Sequence, residues 1–158
     1  MSIEFESLTH FLVKAKKQAY ASQGDEATVR SFLNGSKQLE IRSGDYFYRD
    51  IYFGFSFFTG IETVEYRDRP IWSMVYSGGI TMPDASRETT VRLFSFLRNA
   101  LRMVDSEHPY RGPQAHEEHS YLYRNEVSGT FESFSGHETI HTQNTKVYEL
   151  RYSGGIIL

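Results

Sequence analysis

The sequence contains no cysteine and only four prolines among its 158 residues. Without cysteine there can be no disulfide, thiolate metal site or cysteine nucleophile. Positive charge is scattered, with one short cluster at Lys14, Lys16 and Lys17, and the net charge is −3; a nucleic-acid surface needs clustered positive charge. No apolar run approaches the roughly 20 residues of a membrane helix, and the N-terminus lacks a signal-peptide pattern. We therefore expect a cytoplasmic bacterial protein with no direct nucleic-acid or membrane partner, and leave a homodimer open.

Aromatic residues are abundant instead. The chain has 11 tyrosines and 12 phenylalanines, and aromatics make up 15% of it. This composition is sufficient for a large core and is not typical of disorder. A chain of this length predicts a single domain over residues 1–158.

A sequence repeat is the most informative feature of the chain. Residues 55–80 and 131–156 align without a gap and share ten identities in 26 positions, including the block Tyr76–Ile80, which matches Tyr152–Ile156. We interpret this as an internal duplication, with a first repeat over about residues 3–80 and a second over about 84–156.

The pattern of apolar residues predicts the elements of each repeat. Helical spacing indicates helices over about residues 3–20 and 84–104, the second with apolar positions that include Val91. Alternating aromatic and β-branched segments indicate strands over about 44–53, 55–66, 70–79, 119–128, 131–142 and 146–153, and a short strand at Gln38–Arg42. The predicted fold class is α+β: a duplicated α-βββ unit with pseudo-two-fold symmetry, whose strands form continuous or facing antiparallel sheets with two helices packed on them.

Period-two alternation in the strands assigns an inward face to each. Glu62 and its repeat equivalent Glu138 both point from an otherwise apolar, aromatic face. A carboxylate there must be paired, hydrogen-bonded or protonated. Two interpretations stay open: a ligand site built from the two glutamates, or a structural role in which they tie down neighbouring groups.

Two histidine-containing segments are candidates for metal binding. His137–His141 matches H-E-x-x-H, but the segment reads as a strand, where the two histidines lie about 13 Å apart. Its repeat equivalent, Ile61–Glu65, has no histidine. His116–His119 is interpreted as a solvated loop or strand edge. We therefore predict no metal site, and no cofactor.

The loop Pro109–Pro113 has no counterpart in the first repeat. It is turn-rich and carries Arg111, whose guanidinium is suited to bidentate contact with an anion. A packed connector between helix and strand is the alternative interpretation.

Several segments together resemble a family of bacterial domains of unknown function. They are Gly44–Asp50, Gly60–Glu62, Pro70–Met74, Pro109–Pro113, Gly136–Glu138 and Val147–Glu149. The resemblance extends from Phe5 to Gly155. Members of that family often follow an Xre-type helix-turn-helix DNA-binding domain, which implies a sensory or partner-binding role and supplies no catalytic residues. Since the sequence begins at the first helix, we expect regulation through a protein partner or a ligand.

The resulting hypothesis is a non-enzymatic ligand-binding or regulatory domain whose partner is an unidentified small molecule or protein. Its site would have Arg111 as a rim contact; Glu62 and Glu138 would be polar anchors, and the aromatic walls would be Tyr48, Trp72, Tyr76, Tyr148 and Tyr152. The alternatives are a small enzyme that uses Glu62 or Glu138 as general base, and a protein-interaction module.

Overall fold

The computed structural model describes residues 4–21 and 27–157. Two helices, α1 (Phe5–Ala21) and α2 (Arg87–Leu101), accompany nine strands. The strands are β1 (Thr28–Val29), β2 (Lys37–Ser43), β3 (Tyr46–Gly54), β4 (Phe57–Tyr66), β5 (Arg69–Ile80), β6 (Ala115–Glu118), β7 (Tyr121–Thr130), β8 (Ser133–Thr142) and β9 (Thr145–Ile156). The part of helix α1 predicted at residue 3 lies outside the described residues.

All nine strands form one continuous antiparallel sheet, in the order β1-β2-β3-β4-β5-β9-β8-β7-β6. About 51% of the described residues are in strands and about 21% in helices, so the sheet dominates the fold. The predicted architecture of a duplicated α-βββ unit is wrong, and so is the version of it with two facing sheets. The first half contributes five strands and the second half four, and all of them belong to the same sheet.

The two halves join where β5 pairs with β9, in a ladder that runs from Trp72 opposite Ile156 to Ile80 opposite Tyr148. The repeated Ser-Gly-Gly segments, Ser77–Gly79 and Ser153–Gly155, lie inside these strands. A Cβ on Gly78 would lie 2.2 Å from the Glu149 carbonyl oxygen. Glycine therefore permits the close contact between the two strands.

Both helices cover the same face of the sheet. Helix α1 reaches Glu62 on β4 through Lys16, and α2 contacts Phe58 on the same strand through Phe94. The opposite face is more open, with Ile61 38% and Val75 50% exposed. The inward face predicted for β4 and β5 is confirmed, since Glu62, Val64, Trp72, Met74 and Tyr76 are all buried.

Helix α2 begins three residues later than predicted. The Ser86 side chain caps it by accepting a hydrogen bond from the backbone N–H of Thr89, which satisfies one of the free donors at the helix start. Leu93, Leu97 and Leu101 are buried, whereas Val91 is 48% exposed. Val91, one of the apolar positions that indicated the helix, is therefore outside the buried stripe, which runs through Leu93 instead.

Candidate functional site

A row of polar side chains crosses the middle of the inward face. Asp50 on β3 lies directly opposite Glu62 on β4, and Asn125 on β7 lies directly opposite Glu138 on β8. All four side chains are buried. Each must therefore be hydrogen-bonded, paired or neutralised.

Glu138 is fully satisfied by protein donors. Arg111 binds it bidentately, through Nε to Oε2 at 3.2 Å and Nη2 to Oε1 at 3.0 Å. The Tyr123 hydroxyl donates to Oε2 at 2.6 Å and the Tyr148 hydroxyl to Oε1 at 3.0 Å. Two hydrogen bonds from the guanidinium and two from tyrosine hydroxyls therefore satisfy the hydrogen-bonding capacity of the buried carboxylate.

Glu62, the repeat equivalent of Glu138, is less completely satisfied. Its Oε2 pairs with Lys16 at 2.5 Å, and the same ammonium group donates to the Tyr110 carbonyl. In the part of the chain that the structure describes, three buried atoms here have no hydrogen-bond partner: Glu62 Oε1, the Tyr48 hydroxyl and Trp72 Nε1. The two equivalent glutamates therefore differ: both carboxylate oxygens of Glu138 accept hydrogen bonds, whereas only Oε2 of Glu62 does.

In each half of the sheet, a tyrosine of the β5–β9 ladder donates a hydrogen bond to one member of the opposing pair. The Tyr76 hydroxyl donates to Asp50 at 2.6 Å, and the Tyr152 hydroxyl donates to Asn125 at 2.7 Å. The Asn125 amide also donates to the Gly112 carbonyl at 3.2 Å. Both halves therefore have this tyrosine contact, but the acceptor is an ionisable carboxyl group, Asp50, in the first half and a neutral amide, Asn125, in the second.

Burial alters the acid–base properties of this network. It raises the pKa of Asp50 from 3.8 to about 7, with the Glu62 carboxylate adding to the effect and the Tyr76 hydrogen bond opposing it. Burial also lowers the pKa of Lys16, although the Glu62 carboxylate counteracts this. Burial also acts to lower the pKa of Arg111, but the Glu138 carboxylate together with Tyr20 and Tyr148 outweighs it, and the pKa is raised.

A cavity of about 280 Å³ opens beside this network, between the first half of the sheet and the two helices. Asp50, Tyr76 and Arg111 are buried residues of its lining, and Tyr20 from the end of α1 joins them. Its apolar walls are Leu39, Phe58, Phe94, Leu97 and Leu101. At the more exposed end lie Lys37, Tyr52 and Arg98. A pocket with apolar walls and a few converging polar groups is the usual form of a small-molecule site.

The structure brings some of the predicted site residues to this cavity and not others. Tyr76 and Arg111 line it, but Arg111 is 4% exposed and belongs to the buried floor, where the sequence placed it at the rim. The others are buried in the neighbouring network or core and do not line the cavity: Glu62, Glu138, Tyr48, Trp72, Tyr148 and Tyr152.

The predicted site residues did not include Asp50, Lys16 or Tyr20. Asp50 follows Tyr48 by two residues, so strand alternation already puts it on the inward face. Lys16 is four residues after Leu12 and three before Ala19, which places it on the buried stripe of α1. Both signals were present, but lysine and aspartate are usually solvent-facing.

The histidine segments lie as the sequence indicated. His137 and His141 are on strand β8, and His116 is on β6, an edge strand of the sheet. Within residues 4–21 and 27–157, no group of three or more histidine, aspartate or glutamate side chains is arranged to hold a metal ion. In the same residues, neither helix is long and apolar enough to cross a membrane.

These features define a sheet-dominated antiparallel domain with a buried ionic network beside a small cavity. The chain belongs to the family described as DUF5680, a domain of unknown function, whose model matches residues 50–157. The matched region contains Asp50, Glu62, Tyr76, Arg111 and Glu138. No curated protein and no solved structure shows significant similarity to the chain.

Proposed function

We propose that this domain binds a small molecule in the cavity between the helices and the first half of the sheet. The observation that carries the proposal is the cavity itself, in which buried Asp50, Tyr76 and Arg111 meet apolar walls. Arg111 is paired with Glu138 and Asp50 accepts a hydrogen bond from Tyr76, but both groups have further hydrogen-bonding capacity. A ligand that reaches these groups would gain both hydrogen bonds and apolar contact.

A regulatory role is the second part of the proposal. It rests on the resemblance of the sequence to domains that follow Xre-type helix-turn-helix modules in bacterial regulators. In a bacterial cytoplasm, occupancy of the cavity would be transmitted to a partner, since α1 and α2 both contribute to the cavity lining through Tyr20 and Phe94. The geometry gives no support to catalysis by Glu62 or Glu138, because neither lines the cavity and a general base must reach its substrate.

Native mass spectrometry and thermal-shift screening test the binding proposal. The variant Leu97→Trp adds bulk to a buried wall residue of α2, and Val91→Trp adds the same side chain to the exposed face of that helix. We expect wild type and Val91→Trp to retain a co-purified or added small molecule, and Leu97→Trp to lose it. If wild type carries no ligand and all three proteins respond identically to a metabolite library, the proposal is wrong.

A further inference from the structure

The charges around the cavity indicate which class of molecule it accepts. Among the described residues that line it, three carry a fixed positive charge and one is an acid. Arg111 lies in the floor, Lys37 and Arg98 lie at the more exposed end, and Asp50 is the acid. Because Arg111 is already paired with Glu138, the excess positive charge at the cavity comes from Lys37 and Arg98, and it favours an anion.

Arg111 is able to bind an anion while it holds Glu138. Its bidentate contact uses Nε and Nη2, and a guanidinium carries further N–H donors in the same plane. The residue lines the cavity and its guanidinium lies 5.4 Å from the centre of the Tyr76 ring. Glu138 thus fixes the orientation of the guanidinium, which keeps N–H donors that the Glu138 contact does not use.

Tyr20 provides a second donor. Its hydroxyl is buried and has no hydrogen-bond partner in the described residues, and the residue lines the cavity. Burial and the nearby Glu62 carboxylate raise the pKa of this phenol well above its usual value. The hydroxyl therefore stays protonated and can donate to an anionic group. An unsatisfied buried hydroxyl is costly, so a ligand that accepts from it is favoured.

The apolar walls and the volume limit the rest of the ligand. A cavity of about 280 Å³ lies at the small end of the range for small-molecule pockets, which is roughly 300–1,000 Å³. Phe58 and Phe94 stand edge to face at 5.9 Å and form an aromatic wall. The body of the ligand is therefore small and apolar.

We infer that the cavity binds a small organic anion, with one carboxylate at Arg111 and Tyr20 and an apolar body against Phe58, Phe94 and Leu97. This inference rests on the proposed function and specifies its ligand class. A proton is taken up when the anion binds, because an ionised Asp50 would repel the ligand and a protonated Asp50 would donate to it.

The surroundings of Asp50 support this proton uptake. Its pKa of about 7 leaves the two forms similarly populated at neutral pH. Charged and titratable groups face it from every neighbouring element: Lys16 and Tyr20 of α1, Lys37 of β2, Tyr48 and Tyr52 of β3, Glu62 of β4, Tyr76 of β5, Arg98 of α2 and Arg111 of the loop. The buried cations Lys16 and Arg111 are already neutralised by Glu62 and Glu138. The negative charge of the ligand therefore replaces that of Asp50.

Calorimetric titration of the whole chain tests the ligand class with matched probes: phenylacetate, its neutral isostere phenylacetamide, and the cation 2-phenylethylamine. We expect wild type to bind phenylacetate at least about tenfold more tightly than the other two at pH 6. Between pH 6 and pH 8 its affinity for phenylacetate should fall about tenfold, as expected for a group that titrates near 7. Asp50→Asn should bind phenylacetate with no such pH dependence.

Lys37→Gln and Arg98→Gln change partly exposed residues and should fold normally. Each should weaken phenylacetate binding several-fold and leave phenylacetamide unaffected. Equal or tighter binding of the amide or the amine would overturn the anion assignment while leaving small-molecule binding intact. Failure of phenylacetate to bind wild type would also overturn it; the test with Leu97→Trp then decides separately whether the cavity binds a small molecule at all.

Discussion

Asp50 and Glu62 lie directly opposite each other on adjacent strands, so that two carboxyl groups share one buried face of the sheet. In the second half the same relationship joins Asn125 and Glu138, where one acid has become a neutral amide. Lys16 pairs with Glu62, and among the described residues no cation forms an ion pair with Asp50. Two like charges this close cannot both ionise without cost. The protonation of Asp50 is therefore coupled to folding and to whatever occupies the cavity.

The first prediction concerns stability against pH. Because the folded protein raises the pKa of Asp50 from 3.8 to about 7, Asp50 stabilises the fold fully below about pH 4, and this contribution is lost as the pH rises to about 7. The loss corresponds to about 4 kcal/mol at most. Asp50→Asn should remove it, and should be more stable than wild type at pH 8 in urea unfolding.

The reciprocal change, Asn125→Asp, serves as the control for this prediction. It places an acid beside Glu138 and removes the donor to the Gly112 carbonyl. Its stability should fall between pH 5 and pH 8 more steeply than that of wild type. Parallel pH profiles for wild type and both variants would contradict the assigned role of Asp50.

A second prediction compares two tyrosines at equivalent positions of the repeat. The Tyr123 hydroxyl donates to Glu138 at 2.6 Å, whereas the Tyr48 hydroxyl is buried without a partner in the described part of the chain. Tyr123→Phe should therefore destabilise the protein by about 1.5–3 kcal/mol, the usual value for a hydrogen bond to a charged group. Tyr48→Phe should be neutral or slightly stabilising. Equal costs in chemical denaturation would show that the Tyr48 hydroxyl is satisfied in solution.

A third prediction concerns the buried pair of Lys16 and Glu62. Lys16→Met leaves the Glu62 carboxylate buried without a cation and should cost about 3–5 kcal/mol. The double variant Lys16→Met/Glu62→Met replaces both charges by apolar side chains and should recover most of that loss, because desolvation of the pair is also removed. A double-mutant cycle in denaturant measures the coupling. Additive costs would contradict the interpretation of the two residues as one unit.

The helices and most strands were predictable from local patterns. Alternation identified the inward faces of β4 and β5, including Glu62, and helical spacing located α1 and α2 within a few residues. The pairing of β5 with β9 was not predictable in the same way. Alternation shows which face of a strand is buried, but it does not show which other strand pairs along its edge. Tyr76–Ile80 was therefore recognisable as the end of a strand, whereas its pairing with β9 in the middle of the sheet was not.

The site was predictable only in part, for a different reason. The repeat drew attention to what is shared, namely Glu62 and Glu138, whereas the cavity lies beside what differs, Asp50 against Asn125. Ion-pair partners are set by tertiary structure: Lys16 and Glu62 are 46 residues apart, and Arg111 and Glu138 are 27 apart. No local pattern encodes such a separation.

The fourth prediction concerns the contact between Gly136 and Tyr152. A Cβ on Gly136 would lie 1.9 Å from Cζ of Tyr152, the ring that carries the hydroxyl bonded to Asn125. Gly136→Ala should therefore displace this ring, and should cost about 1–3 kcal/mol for overpacking in addition to the hydrogen bond.

Two comparisons separate this contact from a general effect of losing a glycine. Gly35→Ala, where nothing lies within 4 Å but φ is +81°, should show only the cost of the left-handed backbone, about 1 kcal/mol. Tyr152→Leu should cost less in the Gly136→Ala background than in wild type, because the smaller side chain relieves the overlap. If Gly136→Ala costs no more than Gly35→Ala, or if the Tyr152→Leu cost is the same in both backgrounds, the ring does not depend on the glycine.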